Sequence, residues 1–284
     1  MNTHASSLKK MKRALSTGLG ALAVTFVLSG NALAEDEVSQ GRAFLEKQEF
    51  TQAAATFAKG FDAGNGEAGF YLARMVELGV GFPADTNKAR ILYLASAEKG
   101  SASALNRLGL MHLRGENVRQ DYVAAAELIC KSADLGNQEG QFNCAGLELD
   151  GTGLKQDPAA ALNNYKKAAL TGHVGAKNML AVMTRQGTGT PANAEHAFKL
   201  FEEIGAYGNP VALFNLGEML ESGEGTAADP VKAHLYFNLA NERGHPSAGT
   251  ALETITAEMS KEQIEEAQTL ARDWKPASNE QNSQ

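Results

Sequence analysis

Small and hydrophobic residues return along most of this chain with a period of 36 residues. Small residues open six successive units, at Ala68, Ala104, Gly140, Ala176, Ala212 and Ala248. Within the fifth unit, Ala212, Leu216 and Met219 recur at spacings of four and three, which places them on one face of a helix. Gly223 ends that helix, because glycine adopts the left-handed conformation without a Cβ clash. Glycine recurs at the offset of Gly223 in the first five units, so the pattern predicts a first helix and a glycine-bearing loop in each of them.

A second helix is predicted after each loop, because a residue that can cap a helix N-terminus stands at the same offset in all five full units. These residues are Asp85, Asp121, Asp157, Asn193 and Asp229. Their side chains can accept hydrogen bonds from the free backbone N–H groups of the first turn. Alanine follows four positions later in every unit, which favours close approach of neighbouring helices. Two helices per period of this length are typical of an all-α solenoid, in which stacked units complete one another's core.

Both ends of the array depart from the period. Residues 35–67 fit a unit with a shorter loop, which we expect to cap the N-terminal end. Residues 68–247 hold the five full repeats, and residues 248–274 predict C-terminal capping helices, the last of them starting with a capping box at Ser260. The polar residues 275–284 predict a disordered tail.

The units resemble Sel-one-like repeats, which are relatives of tetratricopeptide repeats with a longer loop. The resemblance rests on runs such as Ala-Leu-Phe-Asn-Leu-Gly from Ala212, Gly-Glu-Gly from Gly223 and Asp-Pro-Val-Lys-Ala from Asp229, and it spans residues 38–274. The shorter unit before the array has tetratricopeptide spacing. The resemblance implies a right-handed α/α solenoid of helix-turn-helix repeats. It also implies a protein–protein adaptor or regulator, of a kind that bacteria often export.

Residues 1–34 predict a signal peptide. A basic start at Lys9–Arg13 precedes a short apolar stretch, and Ala32–Ala34 supplies small residues for cleavage. The apolar stretch covers about half of the roughly 20 residues that a membrane span needs. Whether Met1 or Met11 is the start, we expect cleavage after the last of these alanines and a periplasmic protein. An uncleaved membrane anchor is the alternative.

Charge argues against some partner classes. The chain has 26 Lys and Arg and 33 Asp and Glu, and the signal peptide holds four of the basic residues and none of the acidic ones. The mature protein would therefore carry 22 basic and 33 acidic residues, a net charge of about −11. This balance opposes binding to nucleic acid and to anionic membranes. We expect neither nucleic acid as a partner nor stable membrane insertion after cleavage.

Candidate chemistry is sparse. Ser96 and Lys99 fit the Ser-x-x-Lys motif of penicillin-recognising enzymes, and some cysteine-rich members of the family have been linked to that chemistry, but the companion Ser-Asp-Asn and Lys-Thr-Gly elements are missing. The histidines lack the spacing of a zinc site, and His173 and His245 lie in equivalent turns, where we expect them to be exposed. We therefore predict no catalytic, cofactor or metal site. The alternative from the enzyme class is a cell-wall or β-lactam amide hydrolase.

The two cysteines predict a disulfide bond. Cys130 and Cys144 are equidistant from Asn137, at the turn between one unit's second helix and the next unit's first helix. Residues equidistant from the turn of a helical hairpin come opposite each other, and exported proteins meet an oxidising compartment. Two buried thiols are the alternative.

The function we expect is a non-catalytic protein–protein interaction scaffold, adaptor or regulator in the bacterial envelope. Stacked repeats offer a long surface with variable side chains on a constant scaffold. Candidate contact residues lie on the first helices beside the apolar stripe: Asn106, Arg107, Asn143, Asn178 and Asn215. They could instead be simply solvated. A structural component of an envelope assembly is a further alternative.

Overall fold

A computed structural model describes residues 34–278 of the chain. The predicted signal peptide up to residue 33, and residues 279–284 of the predicted tail, lie outside the described residues. Within residues 34–278 the regular structure consists of fourteen helices, with no strand. The chain divides into two compact units, with the boundary between Asp121 and Tyr122.

The first unit holds five helices. They are α1 (Ala34–Glu46), α2 (Phe50–Asp62), α3 (Gly66–Leu78), α4 (Thr86–Glu98) and α5 (Ala102–Arg114). The helices α1 and α2 form the predicted capping unit, and α3 and α4 form the first full repeat.

The second unit holds nine helices. They are α6 (Tyr122–Asp134), α7 (Gln138–Asp150), α8 (Pro158–Leu170), α9 (Val174–Gln186), α10 (Ala194–Gly205), α11 (Pro210–Ser222), α12 (Pro230–Glu242), α13 (Ala248–Glu258) and α14 (Lys261–Asp273). The pairs α7 and α8, α9 and α10, and α11 and α12 are the third to fifth repeats.

Local sequence accounts for the helix ends. The predicted N-cap side chains of Asp85, Asn193 and Asp229 each accept a hydrogen bond from the backbone N–H three residues later, at 2.9 to 3.0 Å. Asn117 stands where the other repeats have a second loop glycine, and it adopts a φ of 56°. At Gly153 a Cβ atom would lie 1.8 Å from the Tyr122 carbonyl oxygen, so only glycine lets this loop contact the start of α6.

Within each of the two units, the core lies between paired helices of the same repeat and between neighbouring repeats. Tyr93, Phe201 and Phe237 are fully buried second-helix aromatic residues, and the predicted small position before them holds buried alanine in every repeat. At Gly217 a Cβ atom would lie 2.5 Å from the Phe237 ring, so the missing side chain brings α11 close to α12. Fully buried rings contribute strongly to a core of this kind.

The C-terminal cap is anchored at two points. Ser260 and Gln263 form the predicted capping box at the start of α14. Beyond α14, the Arg243 guanidinium lies 4.7 Å from the centre of the Trp274 ring, and the Ala277 N–H donates to the Ala206 carbonyl at 2.8 Å. The first residues of the predicted tail are therefore attached to the turn between α10 and α11. Among the described residues, no helix combines the length and the apolar character needed to cross a membrane.

Candidate functional site

The predicted contact residues lie close to or inside the protein. Asn106 and Asn178 are each 8% exposed, and Asn143 and Asn215 are half-buried. The Arg107 side chain is 18% exposed because it lies among acidic side chains. The structure thus gives several of these residues contacts within the protein. Their use as partner contacts stays a prediction.

Arg107 is the centre of an ionic cluster in the first unit. Its guanidinium donates to Glu77 from the preceding repeat, with Nε to Oε1 at 2.9 Å, and pairs with Glu116 at 2.9 Å. The Tyr93 hydroxyl donates to the same Glu77 carboxylate at 2.7 Å, and Arg74 donates to it at 2.9 Å. Burial opposes ionisation of Glu77, but the hydrogen bonds from Arg107 and Tyr93 outweigh it and hold the pKa of Glu77 below its usual value. The cluster joins the first two repeats.

A related cluster in the second unit has Arg185 at its centre. This arginine donates to Glu224 at 2.8 Å through Nε, and through Nη1 to Asn215 Oδ1 at 3.1 Å and Glu218 at 3.0 Å. Hydrogen bonding to Glu224 raises the pKa of Arg185. Here the basic residue comes from the earlier repeat, whereas in the first cluster it comes from the later one. Asn215 thus accepts a hydrogen bond from Arg185, a residue of the preceding repeat.

A pairing between repeats explains the burial of Asn178. Its Nδ2 atom donates to Oδ1 of Asn209, in the following turn, at 3.3 Å. The equivalent pair one repeat earlier is Phe142 and His173, and one repeat later it is Phe214 and His245. These pairs stack with ring centres 4.3 and 4.1 Å apart. The expectation that His173 and His245 are exposed is therefore wrong, because each half-buried imidazole lies on a phenylalanine ring.

The structure contains the disulfide bond between Cys130 on α6 and Cys144 on α7, with their Cα atoms 5.0 Å apart. Asn164 on α8 donates from Nδ2 to the Glu148 carboxylate at 2.9 Å and approaches Cys144 Sγ at 3.7 Å. Burial raises the pKa of Glu148. Possible ligand atoms of Cys130, Cys144 and Glu148 lie within 4.8 Å of one another, but both sulfurs are consumed in the disulfide and supply no thiolate to a metal ion.

Ser96, the residue of the Ser-x-x-Lys match, is fully buried. Its hydroxyl donates to the Leu92 carbonyl oxygen at 2.7 Å, one turn earlier in α4. Lys99 Nζ lies 5.1 Å from the centre of the Phe61 ring. In this arrangement the hydroxyl is not accessible to a substrate, and its hydrogen bond serves the helix.

An open groove in the second unit is the feature that sequence reasoning missed. It lies between α8 and α10 with α9 at its base, and it consists of two adjoining cavities of about 300 and 350 Å³ that share Lys166 and Leu180. The first cavity is also lined by Ala169, Leu170, Lys177, Leu200, Glu203 and Ile204. The second extends past Leu162 and Thr184 to the loop at residues 190–193. We call this feature the α8–α10 groove.

Two residues of the α8–α10 groove break the repeat pattern. Lys177 is exposed at an offset where other repeats have buried residues, namely Gly69, Leu105, Gln141 and Leu213. Leu170 is 87% exposed at an offset where other repeats have acidic residues or alanine, namely Glu98, Asp134, Ala206 and Glu242. Aligning the repeats and asking which offsets change polarity would have found both residues from the sequence.

Comparison with known proteins identifies the repeats. The family model described as Sel1 repeat matches residues 66–101, 102–137, 138–173, 174–204 and 210–245, which together make up more than half of the chain. No match is found among curated proteins.

Two solved structures share the fold. A Sel1 repeat protein from Oxalobacter formigenes is 21% identical with a TM-score of 0.71, and the alignment covers 86% of this chain and 99% of that one. A protective antigen of uropathogenic Escherichia coli strains, c5321, described as having an SLR fold, is 22% identical with a TM-score of 0.57. That alignment covers 85% of this chain and 60% of the antigen. With five matched repeats and an all-helical solenoid fold, the chain belongs to the Sel1 repeat family.

Proposed function

We propose that this protein is a non-catalytic scaffold of the bacterial envelope that binds a protein partner through its repeat surface. Proteins with Sel1-type and tetratricopeptide-like repeats generally act as interaction scaffolds, which gives the coarse class. The observation that carries the proposal for this chain is Leu170, a large apolar side chain that is 87% exposed beside an open groove. Leu170 adjoins the apolar residues Leu180 and Leu200 that line the groove, and contiguous apolar surface rimmed by polar residues is typical of protein interaction sites.

The enzyme alternative has less support. A hydrolase of the Ser-x-x-Lys type needs an accessible serine with a neighbouring base. Ser96 is fully buried and donates to a backbone carbonyl, and Lys99 lies over Phe61. The motif match is accounted for by the packing of α4.

The location in the envelope is part of the proposal and rests on sequence. The basic start, short apolar stretch and small residues at Ala32–Ala34 have the order of a secretory signal. The disulfide between Cys130 and Cys144 fits an oxidising compartment such as the periplasm.

Crosslinking in the native cell tests the proposal. The full chain, with a C-terminal tag, would be crosslinked in intact cells, purified under denaturing conditions and analysed by mass spectrometry, with untagged cells as the control. We expect a specific protein partner, a tagged chain that begins at Glu35, and recovery from the periplasmic fraction. Absence of any enriched partner contradicts the scaffold, and a chain that keeps its signal peptide contradicts the location.

A second measurement addresses the enzyme alternative. Purified protein would be incubated with a fluorescent penicillin alongside the variant Ser96→Ala. We expect no saturable labelling of either protein. Labelling that the variant abolishes would overturn the non-catalytic assignment.

A further inference from the structure

We propose that the α8–α10 groove binds a linear peptide segment of the partner that carries two neighbouring leucine-sized apolar side chains next to a carboxylate. This inference rests on the proposed function and names the partner's chemistry. The argument uses the shape of the groove, its charges, and its contrast with the equivalent places in the adjacent repeats.

The shape of the groove suits two apolar side chains. Leu180 forms the shared base of the two cavities, with Leu162 on one wall and Leu200 and Ile204 on the other. From Leu162 to Leu170 the wall formed by α8 extends about 12 Å, at 1.5 Å per residue. That length accommodates neighbouring anchors of an extended strand or of one helical turn. We expect burial of these two side chains to be the main favourable contribution to the binding free energy.

The charges of the groove favour an acidic segment. Lys166 lies at the junction of the two cavities and Lys177 at the rim of the first, against one acidic residue, Glu203. Among residues 34–278, neither lysine forms an ion pair with another side chain. The whole chain has a net charge of −7, so this excess of positive charge is local. Both lysines are exposed, so a partner carboxylate beside the apolar anchors would be attracted to them by an interaction that salt screens.

The adjacent repeats show that an open groove is not a requirement of the fold. One repeat earlier, the place of Leu180 is taken by Cys144, which is bonded to Cys130. One repeat later, the place of Leu200 is taken by Tyr236, which packs against the core, and the place of Lys177 by the fully buried Leu213. An exposed lysine where the next repeat buries a leucine gives up stability locally, and such departures concentrate at functional sites.

Peptide selection on the purified full chain tests the proposal. A phage-displayed library of random 12-residue peptides would be selected on the immobilised protein, and enriched peptides would be measured in solution by fluorescence anisotropy. We expect enriched sequences with two Leu, Ile, Met or Phe residues and an adjacent Asp or Glu. We also expect affinity to fall as salt rises, because the lysines contribute by charge.

Matched variants place the peptide in the groove. Leu170→Glu should weaken binding about tenfold or more, because it puts a charge where an apolar side chain of the partner is expected, and Lys177→Glu should do so because it repels the partner carboxylate. Leu135→Glu and Lys155→Glu make the same chemical changes at exposed positions outside the groove and should leave affinity unchanged. Circular dichroism spectra matching the wild type would show that the variants remain folded.

Other outcomes overturn the inference. Basic or purely polar consensus peptides would exclude the proposed chemistry, and equal binding by wild type and groove variants would place the site elsewhere. If the groove variants convert a dimer into a monomer in analytical ultracentrifugation, the occupant is a second copy of this chain. Should crosslinking in cells recover a partner that Leu170→Glu still binds, the scaffold function stands and the groove assignment fails.

Discussion

The junction of α6, α7 and α8 and the α8–α10 groove occupy the same place in consecutive repeats, yet one is closed and the other is open. In the first, a disulfide ties Cys130 on one wall to Cys144 on the base, and Asn164 on the other wall donates to Glu148. In the second, Lys166 stands at the offset of Cys130, Leu180 at that of Cys144 and Leu200 at that of Asn164. Cavities remain between its walls. We call the first place the disulfide junction.

The next repeat gives a third version of the same place. Tyr236 stands at the offset of Asn164 and Leu200 and packs against neighbouring core residues. Burial, and to a smaller degree the charge of Glu202, raises the pKa of Tyr236. In these three consecutive repeats, a few side chains decide whether the same place is closed by a disulfide, filled by a ring or left open.

Among the changes that test this comparison, removal of the disulfide should lower the free energy of unfolding most. The double variant Cys130→Ser and Cys144→Ser should lose about 3 kcal/mol of unfolding free energy, because the bond closes a 15-residue loop. Urea denaturation followed by circular dichroism measures the loss. Reducing agent should lower the stability of the wild type and leave the variant unchanged. Two titratable thiols in non-reduced protein purified from the periplasm would instead mean that the bond is not formed.

Filling the groove should convert it into the version seen at Tyr236. The double variant Lys177→Leu and Leu200→Tyr introduces the leucine and the tyrosine that the next repeat has at these two offsets. We expect a gain of about 1–2 kcal/mol from the added apolar burial, together with loss of peptide binding. Denaturation and anisotropy measure the two effects separately. Unchanged peptide affinity in the stabilised variant would show that the groove is not the binding site.

The disulfide junction should differ from the rest of the molecule in the pH dependence contributed by its half-buried carboxyl group, Glu148. Because the folded-state pKa of Glu148 is raised, its contribution to stability is present at low pH and is lost as pH rises through that pKa. The variant Glu148→Gln should therefore gain less than about 1 kcal/mol relative to the wild type at pH 7, and no gain at pH 4. Urea titrations of the variant and the wild type at the two pH values measure this difference in unfolding free energy.

Glu77 is the control, because its contribution to stability should change with pH in the direction opposite to that of Glu148. Its folded-state pKa is lowered, so its contribution is present at neutral pH and is lost as pH falls through that pKa. Glu77→Gln should lose stability at pH 7 and lose less at pH 3. The same direction of change for both variants at pH 7 would contradict the assignment of these two environments.

The smallest effect on stability is expected at Leu170. Because the side chain is 87% exposed, Leu170→Glu should change the unfolding free energy by no more than about 0.5 kcal/mol. Its expected consequence is confined to binding. A loss well above that value would mean that Leu170 serves the fold, and would remove the main support for a docking surface.

The sequence was sufficient for the parts of the fold that depend on local rules. The helix pairs, the N-caps such as Asp85, the left-handed Asn117 and the Cys130–Cys144 pairing each follow from offsets within one or two repeats. Contacts between repeats were harder to predict. The sequence of a single repeat predicts that Asn106 and Asn178 lie on the surface, but the other repeats have Phe70, Phe142 and Phe214 at that offset. This alternation of Asn and Phe is the signal that the offset points toward the neighbouring repeat.

The groove could not be predicted from composition or periodicity alone, because it is defined by space that side chains leave unfilled. Lys177 reads as an ordinary surface lysine until its offset is compared with Leu105 and Leu213, which are buried. Leu170 reads as an ordinary helical leucine until the structure places it outside the core. A change of polarity at a fixed offset was visible, but its consequence for the cavity required the packing of α8, α9 and α10.

Site-specific photocrosslinking tests the central claim most directly. A photoreactive p-benzoylphenylalanine would be placed in turn at Asp134, Leu170 and Ala206, which hold the same offset in three consecutive repeats and are all exposed. After irradiation of intact cells, we predict a discrete adduct with a partner protein from position 170, and none from positions 134 and 206. An adduct of equal yield from all three positions, or from position 134 or 206 without one from 170, would contradict the account, as would the absence of any adduct at 170.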